Sequence, residues 1–210
     1  MKVISTNIGK PTKIEWNGEE TTTGIYKYPV QEAIYLNKEE VSHDTIADRR
    51  YHGGIFKACY LFSAEQYPYW KAKYPHLEWD WGMFGENLTV EGLDESKIRI
   101  GNVYQLGTAL VQITQPREPC FKLGIRFNDQ TILKQFIDHG FPGTYIRILR
   151  EGNVAVGDSL ELVDESKFPL TTQQFYNLLF SKQKNKELVQ MAMENDALPP
   201  GKREKLKKWV

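Results

Sequence analysis

Through the first 165 residues the apolar positions alternate as short strands, and afterwards they recur at helical spacing. Residues 2–7 read as a strand, followed by a loop and a threonine-rich polar turn ending at Gly24. Ile25, Tyr26, Tyr28 and Val30 suit a second strand, and Pro29 places it at an edge or end, since proline cannot donate to a ladder. Further strands are predicted over 57–62, 88–90, 109–114, 145–149 and 159–163. The runs 97–100 and 103–106 flank Gly101-Asn102 as a hairpin signal. Ser63 and Gln66 have the spacing of a capping box, opening a helix to about Tyr74 whose packed face is Tyr67, Trp70 and Tyr74. Pro68 falls early in it. A second helix is capped by Asn128 or Asp129, buries Ile132, Leu133, Phe136 and Ile137, and stops at Gly140.

After Val163 the pattern predicts three short helices: 172–181 behind the Thr171/Gln174 box, 186–194, and a basic one after Pro199-Pro200-Gly201. The basic residues of the last one read as a solvated face. Helices this short are marginal alone. Their apolar stripes are therefore expected to bury against the preceding strands or in a homodimer interface. The fold class is mainly β with helices (α+β). Residues 1–165 are expected to form a β-barrel or sandwich and residues 166–210 a helical extension.

Composition narrows the function. The 210 residues carry 27 basic and 27 acidic side chains, a net charge of zero that argues against general nucleic-acid binding. Two cysteines are too few for a disulfide framework and suit a reducing compartment. Nothing reads as a signal peptide or a membrane span, so a soluble cytoplasmic protein is expected. No GxGxxG opens a helix, so no dinucleotide of its own is expected.

The stretch with the most chemistry is Gln115-Pro116-Arg117-Glu118-Pro119-Cys120-Phe121-Lys122. Pro116 ends the strand before it, and two prolines stiffen a loop that holds Cys120 between Arg117 and Lys122. Neighbouring cations favour a thiolate, the form that attacks electrophiles and binds soft metals. A small buried hydrophobe is the competing reading. Cys59, inside an apolar run without a nearby base, is read as core. Residues 43–54 mix acids, bases and a glycine pair. Arg49, Arg50 and His52 could bond a phosphate there, and Gly53 and Gly54 allow close backbone approach. A plain polar turn fits that segment equally well. Lys27 reads either as a solvated strand lysine or as an anion ligand, and Glu86 and Asn87 as turn caps beside Gly85.

Four segments in this order, Gly24–Val30, Ala47–Gly54, Phe84–Leu88 and Gln115–Lys122, resemble the MOSC domain family, and the helical tail resembles its YiiM-like subgroup. The resemblance implies a β-barrel that binds the molybdenum cofactor (molybdopterin) in a cleft. Cys120 would be the metal ligand and catalytic residue, with Lys27, Arg50, His52, Gly53, Gly54, Asn87, Arg117 and Lys122 at the cofactor. It implies reduction of N-hydroxylated nucleobases such as hydroxylaminopurine, with electrons from a separate flavoprotein. A non-catalytic carrier of cofactor or sulfur is the alternative. One departure stands out: His43-Asp44 replaces the Gly-Asp of many relatives.

Overall fold

The computed structural model describes residues 1–47, 49 and 53–209. The chain begins with strands β1 (Lys2–Gly9), β2 (Thr12–Trp16), β3 (Glu19–Thr23), β4 (Lys27–Val30) and β5 (Ile34–Leu36), then β6 (Cys59–Ser63) and helix α1 (Tyr67–Lys73). Next come β7 (Leu88–Glu91), β8 (Val103–Leu106), β9 (Ala109–Pro116), α2 (Phe121–Arg126), α3 (Ile132–His139) and β10 (Thr144–Arg150). Strands β11 (Gly152–Val154) and β12 (Leu160–Asp164) and helices α4 (Thr172–Phe180), α5 (Lys186–Glu194) and α6 (Pro200–Leu206) complete it.

Eight strands form one sheet in the order β12-β8-β9-β10-β6-β7-β1-β4, antiparallel except for β6 beside β7. The expected barrel is not a continuously closed ladder. Its turn is made at one isolated bridge between Lys2 and Ser159, where Val3 N donates to Asp158 O and Leu160 N to Met1 O, both at 2.9 Å. The start of β12 thus touches β1, and its later residues splay into solvent, with Leu162 and Val163 exposed.

Strand alternation sorts the core. From β6, Cys59 and Leu61 enter a cluster with Val3, Leu88, Val90, Val111, Ile113 and Ile146, inside the curl. Tyr60 and Phe62 point the other way, into an aromatic cluster with Tyr67, Trp70, Phe84, Phe127 and Phe136 from α1, α3 and their loops. All five residues of β6 are buried for this reason. The C-terminal helices bury Phe175, Leu178, Val189, Ala192 and Leu206 in a third cluster with Ile100 and Leu170.

Several local expectations change. Ser63 does not cap a helix: its hydroxyl donates to Glu65 Oε2 at 2.7 Å, and a 3-10 turn (Ala64–Gln66) leads into α1. Pro68 lies in the first turn of α1, where a missing N–H breaks no helical bond. Gly101-Asn102 joins no hairpin. Residues 97–100 form no strand, and β8 pairs instead with β9 across Gly107-Thr108. Within the polar turn before Gly24, β2 and β3 form a hairpin. Its turn is Asn17-Gly18, with φ of 53° and 79°, the mirror-image geometry that matches strand twist. The Thr171/Gln174 box is present in full, and Gly140 ends α3 with φ 79°.

Candidate functional site

The site lies where β4, β6, the start of α2, residues 44–47 and Gly53 converge. Pro116 ends β9 as expected, and the chain then turns through Arg117 to Cys120, which precedes the first residue of α2 in extended conformation. Its thiol makes no capping bond to the helix. Cys120 lines a cleft of about 630 Å³, measured out to and including its solvent-open mouth. Lys27, Gly53, Asn87, Arg117 and Lys122 line the same cleft. Residues as much as 95 positions apart in sequence are thus brought together. Gly54 stands just outside, at the start of a 3-10 turn (Ile55–Lys57), where its N–H bonds Glu39 O at 2.9 Å. Arg50 and His52 lie outside the described residues.

Arg117 is the most unusual group here. It is 4 % exposed, and its guanidinium stands 5.2 Å over the ring of Tyr60 and 5.7 Å over that of Phe136. Its Nη1 has no hydrogen-bond partner among the described residues. Burial works to lower its pKa, but Tyr60, Tyr145 and Cys120 offset this and hold it above the ordinary value. A guanidinium buried on aromatic faces with an unpartnered donor carries a desolvation cost that an anionic ligand would relieve. Lys122 is also buried, and its Nζ reaches Thr22 O at 3.3 Å, tying α2 to the β2–β3 hairpin.

The opposite wall is neutralised internally. Lys27 is buried and its ammonium pairs with Asp44. Asp44 also accepts from Gly9 N at 2.8 Å and from Asn87 Nδ2 at 2.9 Å. Asn87 Oδ1 in turn accepts from Tyr60 N at 3.2 Å. Lys27, Asp44 and Asn87 therefore form one network that fixes β1, β4 and β6 around the cleft. His43 holds Asp44 in place with φ 64°, the left-handed conformation that glycine adopts freely and other residues rarely do. The glycine of the Gly-Asp pattern has a backbone reason, and His43 meets the same requirement under strain. Gly53 has φ 73°, the conformation glycine adopts freely, and a Cβ there would stand 2.6 Å from Ile46 Cδ1 and displace the end of that side chain.

Glu86 belongs to the scaffold: it accepts from Gly82 N at 2.9 Å, Phe84 N at 3.1 Å and the Tyr67 hydroxyl, fastening the turn before β7. Burial raises its pKa although the bonds with Tyr67 and Gly82 oppose the rise.

Among the lining residues that sequence reading missed are Lys57, Tyr60 and Tyr145. Tyr60 faces Tyr145 across the β6–β10 register with ring centroids 5.2 Å apart, and burial pushes Tyr145 up to about 12. Lys57 has its pKa lowered, first by burial and then by Lys202. For Tyr60 a signal was available in the alternation along β6, which sends its side chain to the face opposite Cys59 and Leu61. Among the described residues the lining charges are four cations (Lys27, Lys57, Arg117 and Lys122) against one carboxylate, Asp44. Such a cleft suits an anion beside a thiol. Among the described residues no group of three or more His, Cys, Asp or Glu is placed to hold a metal ion.

Comparison with known proteins places the fold in a family. The sequence model of the MOSC domain matches residues 48–161. The chain is 36 % identical to the uncharacterized protein YflK of Bacillus subtilis, over 93 % of this chain and 88 % of that one. It is 34 % identical to a protein of Gibberella moniliformis named as a reductase, over 70 % of this chain but only 27 % of that longer protein. The crystal structure of YiiM from Geobacillus stearothermophilus superposes with a TM-score of 0.83 at 30 % identity, covering 99 % of this chain and 98 % of that one. No described helix is long and apolar enough to cross a membrane. By its matched segment and its fold, the chain belongs to the MOSC domain family and is YiiM-like.

Proposed function

We propose that the cleft binds a molybdenum-pterin cofactor, with Cys120 as a ligand of the metal, and that the protein reduces N-hydroxylated nucleobases. The observation that carries this reading is Arg117 beside Cys120: a buried guanidinium with an unpartnered Nη1 in a cleft of four cations. Arg117 and Lys122 bond the cofactor's phosphate, while Lys27 holds its wall through Asp44 and Asn87. Gly53 would let the backbone approach the cofactor closely, and Gly54, Arg50 and His52 belong to the same proposed cofactor set. A thiolate is the soft ligand such a metal takes. When bound, the cofactor supplies the redox centre for cleavage of an N–O bond. Two electrons from a separate flavoprotein and two protons convert an N–OH group to N–H and water.

The family membership and the similarity to a fungal reductase support an enzyme over a carrier. The test is elemental analysis of freshly purified protein for molybdenum, followed by hydroxylaminopurine reduction with an artificial electron donor. Molybdenum near one per chain with turnover is the expected result. Molybdenum without turnover points to the carrier, and protein without molybdenum after expression in a cofactor-producing host overturns the proposal.

A further inference from the structure

The loop that carries Cys120 is braced from behind by the C-terminal helices. Tyr176 on α4 is fully buried, with its hydroxyl 3.5 Å from Phe136 O, and both Arg117 and Glu118 act on it electrostatically. On α6, Lys202 forms an ion pair with Glu118, 84 positions earlier in the chain. The Lys202 side chain is only 18 % exposed, unlike the solvated pair Lys207–Glu204 on the same segment, whose side chains are 61 % and 68 % exposed. Leu206 anchors α6 in the cluster with Ile100 and Phe175.

Glu118 is the one acid in the loop, next to Arg117 and two residues from Cys120. It does not line the cleft, whereas Arg117 does and has an unpartnered donor. A carboxylate freed from Lys202 would have a buried guanidinium one residue away to turn to. Glu118 and Lys202 also act on Lys57 in opposite senses, the first favouring its ammonium and the second disfavouring it.

We infer that Lys202 is a positioning residue: by pairing with Glu118 it keeps that carboxylate out of the cleft and leaves the cations around Cys120 to an incoming anion. The C-terminal segment thereby sets the field of a site to which it contributes no lining residue. The inference concerns the same cleft as the proposed function but stands on the thiol and its field alone.

The experiment compares two alkylating reagents at Cys120 in the full chain, expressed without molybdate. Iodoacetate is anionic and iodoacetamide neutral, and both consume the same thiolate. Their rate ratio therefore cancels thiol ionisation and reads the field at the sulfur. Peptide mapping assigns the adduct to Cys120, since Cys59 is buried. Lys202→Met and Lys202→Gln are expected to lower the ratio about threefold, the scale of a partly exposed ion pair. Lys202→Arg should keep it, and in a Glu118→Gln background Lys202→Met should change nothing further. An unchanged ratio in both neutral variants, each folded by circular dichroism, overturns the inference. So does an equal fall in the Glu118→Gln background, which would make Lys202 a distant charge only. Neither result bears on molybdenum content, so the two readings fail separately.

Discussion

Cys59 lies at the start of β6 among Val3, Leu61, Val90 and Ile146, whereas Cys120 stands on a proline-stiffened loop between Arg117 and Lys122. Burial pushes the Cys59 thiol far up, with Asp44 adding to the rise and Lys27 opposing it. Yet Ala58 and Tyr60, the neighbours of Cys59, both line the cleft. One step of strand alternation separates an inert thiol from a reactive setting. The chemistry a cysteine can do here depends on which face of the fold it is given, more than on how near the site it lies.

The largest expected effect breaks that comparison directly. Cys120→Ser should abolish reduction of hydroxylaminopurine and leave folding intact, because serine is a poorly acidic, hard substitute for a thiolate. Wild-type turnover with molybdenum still bound would remove Cys120 from the metal.

Glu95 shows what burial does without a cleft. It is fully buried where β10 and α4 meet, with Oε1 accepting from Gly143 N at 2.8 Å and Oε2 unpartnered among the described residues. Burial raises its pKa from 4.5 to about 7. The folded state then binds a proton that the unfolded chain releases. The group's stabilising contribution is present below pH 4.5 and lost as pH rises through 7, amounting to about 3 kcal/mol at most. Denaturant titrations at pH 5 and pH 8 should show this fall, and Glu95→Gln should flatten it. An equal slope in the variant would place the proton elsewhere.

Arg117→Ala should weaken cofactor retention by roughly tenfold or more, the loss of a charge-assisted bond of about 1.5–3 kcal/mol, with smaller effect on stability. Molybdenum content held at the parental level through dialysis would reduce Arg117 to a packing role. Cys59→Ser should do the reverse. It should lower stability by about 1–3 kcal/mol, because a hydroxyl in that cluster finds no partner, and leave molybdenum content unchanged. If Cys59→Ser instead lost metal at unchanged stability, the division between the two thiols would fail.

What was legible in the sequence was mostly local. The Thr171/Gln174 box, the glycine stop at 140 and the strand end at Pro116 each depend on a few adjacent residues, and each stands as read. The order of the four motif segments identified the family, because their spacing along the chain is itself specific. Turn signals were ambiguous where two competed. Gly101-Asn102 looked like a hairpin and is not one, while Asn17-Gly18 makes a hairpin inside what read as polar loop. Contacts that depend on the whole fold left no local trace. The pairing of Lys27 with Asp44, the burial of Arg117 on Tyr60 and Phe136, and the reach of Lys202 to Glu118 are set by how sheet and helices close on one another.

The smallest expected effect concerns the wall that joins the two thiols' surroundings. Asp44 pairs with Lys27 on the cleft side and also bears on Cys59, and His43 positions it with φ 64°. A non-glycine residue in that conformation costs on the order of 1 kcal/mol, partly offset in a glycine variant by the greater freedom of the unfolded chain. His43→Gly should therefore raise stability by about 0.5 kcal/mol and leave the Asp44 network as it is. Denaturant midpoints at constant slope would measure the gain. A loss of stability would mean that the His43 side chain holds the segment by contacts of its own, and that strain at this position does not decide the balance.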